Sequence, residues 1–497
     1  MTPYFHIRVV TSPVETLCSS PNEQSLNRGD YAMNNSPEVP VPDTLFPVEP
    51  VVNRREFMKG GAAGAAAISL AAMANSANAA FTSDYGPVMP VADESTGLPL
   101  LQLPAGFKYW SYGWTGMIMK DGVATPGVHD GMGVVAAQGN TIALVRNHEV
   151  RGAGTAVKSP AIYDTRGGGG CSNLLFDAFN GQWLASYMSI SGTSTNCAGG
   201  ITPWGSWLTC EETTDTYSGI THGWIFEVPG FGKASPTPIK AMGRRAHEAT
   251  ATDPVTGYVY ITEDAGTSSG FYRYRPNVYG KLLEGGVLEM LAVTNLPQAN
   301  LLASYPNGTT WDVEWVIIDQ PESINPRNYT QGYNKGAARF ARLEGAWYDT
   351  GLIYFVSTSG GGIGGGQVFH YDPRRETLTL TFESRNNTSH PVAPDNMTVS
   401  PRGGLLLCED RGGISRLMGL NQAGDVFEFG RNNMNLNAAD VAIIHSRFPG
   451  TAGRINAGNY IGAETCGACF YDRWLFVNIQ SPGVTFAITG PWNEGIL

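Results

Sequence analysis

The sequence has little charge. Only 15% of its 497 residues are Asp, Glu, Lys or Arg, whereas a typical soluble domain has about 25%. The 32 basic residues are outnumbered by 43 acidic ones, which gives a formal net charge of −11, and no long basic block occurs. Nucleic acid is therefore not an expected partner, because phosphate backbones are bound by clustered Lys and Arg. Aromatic residues reach 10%, which excludes a disordered chain as well.

Cysteines and long apolar runs are also scarce. Seven cysteines in a chain of this length do not make a disulfide scaffold. The early apolar segment 60–73 is too short, and its side chains are too small, for a stable membrane span. Arg54 and Arg55 precede this segment, and an A-x-A site at residues 77–79 follows it. This order predicts a twin-arginine signal over residues 53–79, and hence handling by the twin-arginine export machinery and a periplasmic or secreted protein.

The signal divides the chain. Residues 1–52 are polar and Pro-rich, and we expect either a disordered extension or a segment upstream of the true start codon, with Met33 as the alternative start. Residues 80–497 are expected to form a single domain.

Glycine, by contrast, is abundant, at 62 of 497 residues. It occurs in the turns of a sequence unit that recurs six times. Each copy begins with a polar or acidic residue and continues with a short strand, a turn that contains Gly or Asp, and a strongly apolar strand. Each copy ends in polar or acidic residues. The copies span residues 129–149, 196–212, 247–264, 343–361, 394–410 and 464–480. A β-rich unit repeated about every 50–70 residues predicts an all-β, six-bladed β-propeller. The longest gap predicts an insertion between blades at residues 301–334.

The ends of these units carry acidic, amide and thiol residues. In a hairpin the first and last residues return to the same end of the sheet, so both ends of one unit are expected to lie together. The groups concerned are Asp130 with Asn147 and Glu149, Cys197 with Glu211 and Glu212, Glu248 with Glu263 and Asp264, and Asp395 with Glu409 and Asp410. The fourth unit departs from this pattern, because it ends in Ser-Thr-Ser-Gly-Gly without an acid. Carboxylates packed this closely repel one another and need cations.

The types of these residues indicate which cations. Carboxylate and amide oxygens suit calcium or magnesium. A thiolate from Cys197 would favour iron or zinc beside the hard ions, with Cys171 as the alternative thiolate. Cys466 and Cys469 form a C-x-x-C pair, but no second pair completes a structural zinc site, so we interpret them as small strand residues. The alternative to metal binding is that the acids cap hairpins or meet arginines such as Arg146.

A set of short motifs extends over nearly the whole mature chain: the twin-arginine leader, LPAGF, DGM, LVRNHE, NCAGGITPWGSWLTCEE, HEATATDP, ITED, FYRY, PDNM and LLLCED. Together these motifs resemble the PhoX-type alkaline phosphatase family. The resemblance implies hydrolysis of a small phosphorylated substrate at an iron–calcium cluster in the channel mouth of a six-bladed propeller. It implies as metal ligands Asn147, Glu149, Cys197, Glu211, Glu212, Glu248, Glu263, Asp395 and Glu409. Glu263 and Glu409 are also expected in the catalytic step, with Arg411 or Arg146 binding the phosphate.

Two other functions stay open at this point. The P-D-N-M sequence at residues 394–397 also resembles calcium-dependent lactonases on propellers. A secreted propeller with structural calcium and no enzymatic activity is the third possibility. Calcium together with iron would favour the phosphatase, and calcium alone would favour the other two.

Overall fold

The computed structural model describes residues 85–421 and 423–497, so the expected extension over 1–52 and the signal over 53–79 lie outside the described residues. The described chain consists almost entirely of antiparallel β-strands. The first fifteen strands are β1 (Met89–Val91), β2 (Leu101–Leu103), β3 (Lys108–Tyr112), β4 (His129–Gln138), β5 (Thr141–His148), β6 (Gly169–Asp177), β7 (Gln182–Thr193), β8 (Asn196–Ile201), β9 (Ser206–Glu211), β10 (Thr216–Tyr217), β11 (Ile220–Thr221), β12 (Ile225–Pro229), β13 (His247–Thr252), β14 (Val259–Glu263) and β15 (Phe271–Pro276).

The second half of the chain continues in the same way. Its strands are β16 (Gly286–Val293), β17 (Thr310–Ile317), β18 (Leu343–Asp349), β19 (Leu352–Ser357), β20 (Gln367–Asp372), β21 (Thr377–Glu383), β22 (Pro394–Val399), β23 (Leu405–Glu409), β24 (Arg416–Leu420), β25 (Val426–Asn432), β26 (Asn435–Leu436), β27 (Gly458–Asn459), β28 (Thr465–Tyr471), β29 (Trp474–Ile479) and β30 (Val484–Thr489). Two α-helices occur in the described chain, α1 (Asn328–Asn334) and α2 (Ala438–Arg447). Among the described residues, no helix combines the length and apolarity needed to cross a membrane.

Most strands belong to antiparallel meanders, in which each strand pairs with the next one along the chain. Such meanders are β4–β7, β13–β16, β18–β21 and β22–β25, while β8, β9 and β12 form a three-stranded sheet. Strand β17 pairs with both β16 and β21, so that two meanders share one nine-stranded sheet. The predicted all-β class is confirmed, and the sheets have a propeller-like arrangement.

Six strands, each the first strand of a hairpin, form a closed ring. Strands β4, β8, β13, β18, β22 and β28 contact one another in that order, and β28 contacts β4. We call these the inner strands. Each begins at or next to the first residue of one of the six sequence repeats, and each repeat is the hairpin made by an inner strand and its successor.

A strand from the beginning of the described chain completes the last sheet. Strand β3 pairs with β30 over five residues, from Lys108 opposite Thr489 to Tyr112 opposite Thr485. Strands distant in sequence are thereby joined in one sheet, with β3 as its outer strand.

The core lies between neighbouring sheets. Because both faces of most strands are covered, strands such as β29 are buried along their whole length rather than in alternation. Aromatic pairs join neighbouring meanders, with Phe271 stacked on Phe355 at 4.2 Å between ring centroids and Phe176 edge-on to Trp474 at 4.9 Å. Such pairs each add about 0.5–1.5 kcal/mol beyond the area they bury.

Candidate metal centre

All six inner strands contain the same irregularity near their start. The ladder of residue pairs is interrupted after the first residue of five of them, for example between His247 and Thr250, and after Cys466 in β28. A β-bulge of this kind re-aims side chains and is frequent next to active sites. The second residues of the inner strands are Asp130, Cys197, Glu248, Glu344, Asp395 and Cys466.

Four of the inner strands are entered through a strained residue. Val128, Thr195, Arg342 and Ala393 directly precede β4, β8, β18 and β22, with φ of 51°, 52°, 43° and 49°. Left-handed backbone is unfavourable for residues with a Cβ, above all for a β-branched one, and costs about 1–3 kcal/mol. The same strain at the same position of four repeats indicates that the ring end of the sheets is held for a function.

The inner strands also approach each other closely. A Cβ atom on Gly131 would lie 2.6 Å from Cα of Ala198 and 3.0 Å from the carbonyl oxygen of Cys197. Only glycine fits between β4 and β8 at this level.

We therefore expect Gly131→Ala to lower the free energy of unfolding by about 1–3 kcal/mol, because the backbones of two inner strands would have to separate. Chemical denaturation measures this change. Gly412→Ala is the matched control, since no described atom lies within 4 Å of a Cβ at Gly412. Equal stability of the two variants would contradict the close packing of the ring.

The ring brings acidic and thiol groups together in four overlapping triads. One ligand atom from each member of a triad lies within 4.8 Å of the other two. The triads are Asp130–Glu464–Cys466, Asp130–Glu149–Cys197, Cys197–Glu212–Glu248 and Glu248–Glu344–Asp395. We call these nine residues the ring cluster. Adjacent triads share Asp130, Cys197 or Glu248, so the cluster is continuous.

Several oxygens of the ring cluster accept no hydrogen bond from the described part of the chain. Glu248 is 0% exposed, and no donor among the described residues hydrogen-bonds either of its carboxylate oxygens. Oδ1 of the 1% exposed Asp130 likewise has none within the described chain. Burying a carboxylate without partners costs several kcal/mol, which bound cations would remove. The donor set of carboxylates and two thiols therefore fits hard ions such as calcium together with a softer ion such as iron.

The electrostatics of the cluster agree with this fit. Burial, and then the neighbouring carboxylates, raise the pKa of Asp130, Glu248, Glu344 and Glu464 well above the usual range. Burial likewise raises the pKa of Glu149 to about 8 and that of Asp395 to about 7. Without cations, the protein must keep protons on groups that are ordinarily ionised at neutral pH.

Five of the residues expected to bind metal lie in the ring cluster: Glu149, Cys197, Glu212, Glu248 and Asp395. Asn147 instead holds the ring together. Its Nδ2 donates to the carbonyl oxygens of Cys197 (3.0 Å) and Ala198 (2.7 Å), and its Oδ1 accepts from Trp207 Nε1 (3.0 Å).

The other three expected ligands have protein partners outside the cluster. Glu211 accepts from the backbone N–H groups of Ser194, Gly223 and Trp224 at 2.8–3.0 Å and contacts His222 Nδ1 at 2.7 Å.

Glu263 accepts from the hydroxyl of Tyr272 at 2.6 Å. Glu409 accepts from Nε of Arg416 at 2.8 Å and from its Nη2 at 2.7 Å. These two carboxylates, also expected in the catalytic step, are thus satisfied by the fold.

The arginines expected to bind phosphate differ in exposure. Arg146 is fully buried, where Nη1 donates to Gly113 and Thr485, and burial lowers its pKa to about 9. Arg411 is partly exposed, and Nη2 donates to the carbonyl oxygen of Asn387 at 3.3 Å.

Two other arginines lie directly beside the ring cluster. The Arg151 side chain, 67% exposed, forms ion pairs with Glu149 and Glu212. The Arg342 side chain, 40% exposed, contacts Glu344 through Nη2 and Asp264 through Nε, both at 2.9 Å. Both guanidinium groups bridge two acids and face solvent, which places positive charge at the entrance to the cluster. We call them the rim arginines.

Glu344, Glu464 and Cys466 were not expected as ligands, and Asp130 was expected only to lie close to Asn147 and Glu149. All four stand at the start of a repeat, and three of them are second residues of inner strands. Aligning the six repeats on their second position, rather than on their acidic ends, would have found Asp130 and Glu344 from the sequence, whereas Cys466 is the third residue of its repeat.

Comparison with known proteins identifies the family of this chain. Residues 83–186 and 176–483 match the family described as alkaline phosphatase PhoX. The chain belongs to the PhoX family. Members of this family depend on metal ions, in agreement with the ring cluster. Residues 51–71 of this PhoX member match the twin-arginine translocation signal, so the predicted signal is confirmed and the protein is exported to the periplasm or secreted.

No curated protein matches the PhoX member. Among solved structures it is similar to a gluconolactonase from Xanthomonas campestris, with 13% identity and a TM-score of 0.36 over 84% of this chain and 99% of that one. It is also similar to a virginiamycin B lyase from Staphylococcus aureus, with 12% identity and a TM-score of 0.34 over 77% of this chain and 99% of that one. Likenesses this distant carry no argument about the reaction.

Proposed function

We propose that this PhoX family member is a metal-dependent phosphomonoesterase whose ring cluster holds calcium and iron. The observation that carries the proposal is the buried Glu248 carboxylate with no partner among the described residues, placed between two triads of possible ligands. A cluster of this charge needs several cations, and a multi-cation centre beside partly exposed arginines is suited to a phosphate dianion.

The residues of the ring cluster would divide the ions between them. The all-carboxylate triad Glu248–Glu344–Asp395 suits calcium, and the triads that contain Cys197 suit iron. When bound, such ions would neutralise the phosphate oxygens and activate the attacking oxygen.

The protein's own contribution is to bind and orient the substrate. In the hydrogen bonds seen within the described chain, Arg342 uses Nε and Nη2, and a guanidinium has five N–H groups in all, so donors remain for phosphate. Arg151 contacts Glu149 and Glu212 through Nη2, so N–H groups on its other nitrogens remain for phosphate as well. Together the rim arginines would hold the phosphate over the buried cluster, with the leaving group toward solvent.

We also propose that residues 80–497 are one domain with six blades. The support is the cyclic contact of the six inner strands, each of which begins one sequence repeat. The insertion expected at residues 301–334 contains β17 and α1 and lies between the third and fourth of these units.

Hydrolysis of p-nitrophenyl phosphate tests the function. With calcium and iron supplied we expect turnover that a chelator abolishes, and elemental analysis should find both metals. No turnover by a protein that contains both metals would contradict the proposal. Hydrolysis of an aldonolactone by a protein containing calcium alone would favour the lactonase function instead.

The arginine variants test how the substrate is held. We expect Arg342→Ala to raise KM for p-nitrophenyl phosphate by about 10- to 100-fold, because it removes charge-assisted hydrogen bonds to the phosphate. Arg411→Ala should have a smaller effect, because the partners of Arg411, Glu409 and Asn387, lie outside the ring cluster. A larger effect at Arg411 would make that residue the phosphate ligand.

A further inference from the structure

Cys466 and Cys197 are each the second residue of an inner strand, in β28 and β8. Both lie at the β-bulge of their strand, Cys197 within it and Cys466 directly before it, opposite Asn478. Between β28 and β8 in the ring lies β4, whose second residue is Asp130. The two thiols therefore flank one carboxylate.

The distances support this symmetry. Cys466 Sγ, a carboxylate oxygen of Glu464 and one of Asp130 lie within 4.8 Å of one another. Asp130 forms an equivalent triad with Glu149 and Cys197. The amide of Gln480 donates to Asp130, Glu149 and Glu464 at 3.0–3.3 Å, which ties the two triads together.

An independent observation indicates that this place takes a ligand. Oδ1 of Asp130 is buried and hydrogen-bonds no donor among the described residues, while Oδ2 contacts Gln480 and the Cys197 thiol. A buried carboxylate beside two thiols, with one oxygen lacking a donor in the described chain, is costly unless a cation is bound. Thiolate with carboxylate is a donor set for iron or zinc rather than for calcium.

The neighbouring cysteine of the C-x-x-C pair shows the contrast. Cys469 belongs to an apolar cluster with Trp474 and Phe476, and it is in none of the triads. The two cysteines of the pair thus have different surroundings. Cys469 packs in the apolar core, and Cys466 lies beside acidic residues.

We propose that Cys466 is a second thiolate ligand, which together with Asp130 and Glu464 binds a transition-metal ion separate from the one beside Cys197. This inference rests on the metal centre of the proposed function and deepens it. Asp130 is shared by both triads, so its carboxylate would bridge the two ions. On binding, the Cys466 sulfur exchanges its proton for the metal, and the proton goes to solvent.

Cobalt(II) is the probe, because a cobalt–thiolate bond gives a near-ultraviolet charge-transfer band whose intensity reports the number of such bonds. The mature chain is stripped with chelator, kept reduced with a phosphine and titrated with cobalt. We expect Cys466→Ala and Cys197→Ala each to remove about half of the band and one equivalent of tightly bound cobalt, and the double variant to remove the band entirely. Cys469→Ala is the matched control and should bind as the parent protein does. If Cys466→Ala fails to fold, Cys466→Ser takes its place, since it keeps the shape and also loses the band.

A full band and full cobalt content in the Cys466 variant would overturn the inference. The proposed function stands or falls separately. If the protein hydrolyses phosphate esters but its cobalt band is unchanged in the Cys466 variant, the proposed function stands and the second thiolate ligand is contradicted. If the protein forms two cobalt–thiolate bonds but does not hydrolyse phosphate esters when loaded with calcium and iron, the second thiolate ligand stands and the proposed function is contradicted.

Discussion

Glu248→Gln is expected to lower kcat at least about 100-fold while making the metal-free protein more stable. Even outer-shell changes at metal sites cost 10- to 100-fold, and Glu248 takes part in two triads. In the metal-free protein, however, its carboxylate is fully buried among Glu212, Glu344 and Asp395 with no donor among the described residues. An amide there avoids the cost of either a buried charge or an added proton at neutral pH, and it can donate to its neighbours, so the free energy of unfolding should rise by about 1–3 kcal/mol.

The opposite signs make the prediction specific. Glu289→Gln is the control, because Glu289 is also buried but is paired with Arg273 and Arg275 at 2.8–3.0 Å. In that variant the free energy of unfolding should fall by about 1.5–3 kcal/mol, both with and without metal. Thermal unfolding with calcium and iron, and again with chelator, measures both variants. A metal-free Glu248→Gln that is less stable than the parent would show that the carboxylate has a structural role.

The hairpins of this fold could be predicted from the sequence because their signal is local. Each repeat has a strand, a turn and a second apolar strand, and the six repeats coincide with the six hairpins that begin at the inner strands. The polar ends of these hairpins do come together, as strand geometry requires. The N-terminal strand β3 could not be placed in the last sheet, since its partner β30 lies more than 370 residues away in sequence.

The exact ligands could not be predicted because side chains alternate along a strand. Glu211, Glu263 and Glu409 pair directly with the first residues of β8, β13 and β22. One residue farther along, the chain has left the ladder, and Glu212 joins the ring cluster while Asp264 pairs with the rim arginine Arg342.

The bulges have the same effect at the start of each repeat. They turn the second residue of the inner strand toward the centre, as for Glu344 in the unit whose far end has no acid. A shift of one residue reverses the direction of a side chain, and nothing in a single sequence marks where the ladder stops.

Removal of metal is expected to make the protein sensitive to alkaline pH. The ring cluster carboxylates have pKa values raised by burial and by one another, to about 8 for Glu149 and about 7 for Asp395. In the unfolded chain they titrate near 4, so between about pH 4.5 and pH 8 the unfolded state has lost protons that the folded metal-free state retains. The stability of the folded metal-free protein must therefore fall as the pH rises through this window.

Bound cations reverse this dependence, because they bind the ionised carboxylates and stabilise the folded state more as protons leave. Burial lowers the pKa values of His129, His148 and His247. At acidic pH these histidines lower the stability of the metal-loaded and the metal-free protein equally, so their effect cancels in the comparison. One pKa unit corresponds to about 1.4 kcal/mol, so the gap between the Tm values of loaded and chelated protein should widen by roughly 5 °C or more from about pH 5 to about pH 8. Calorimetry at a series of pH values measures this gap, and a gap that stays constant or narrows would mean that the ring carboxylates are not where the metals bind.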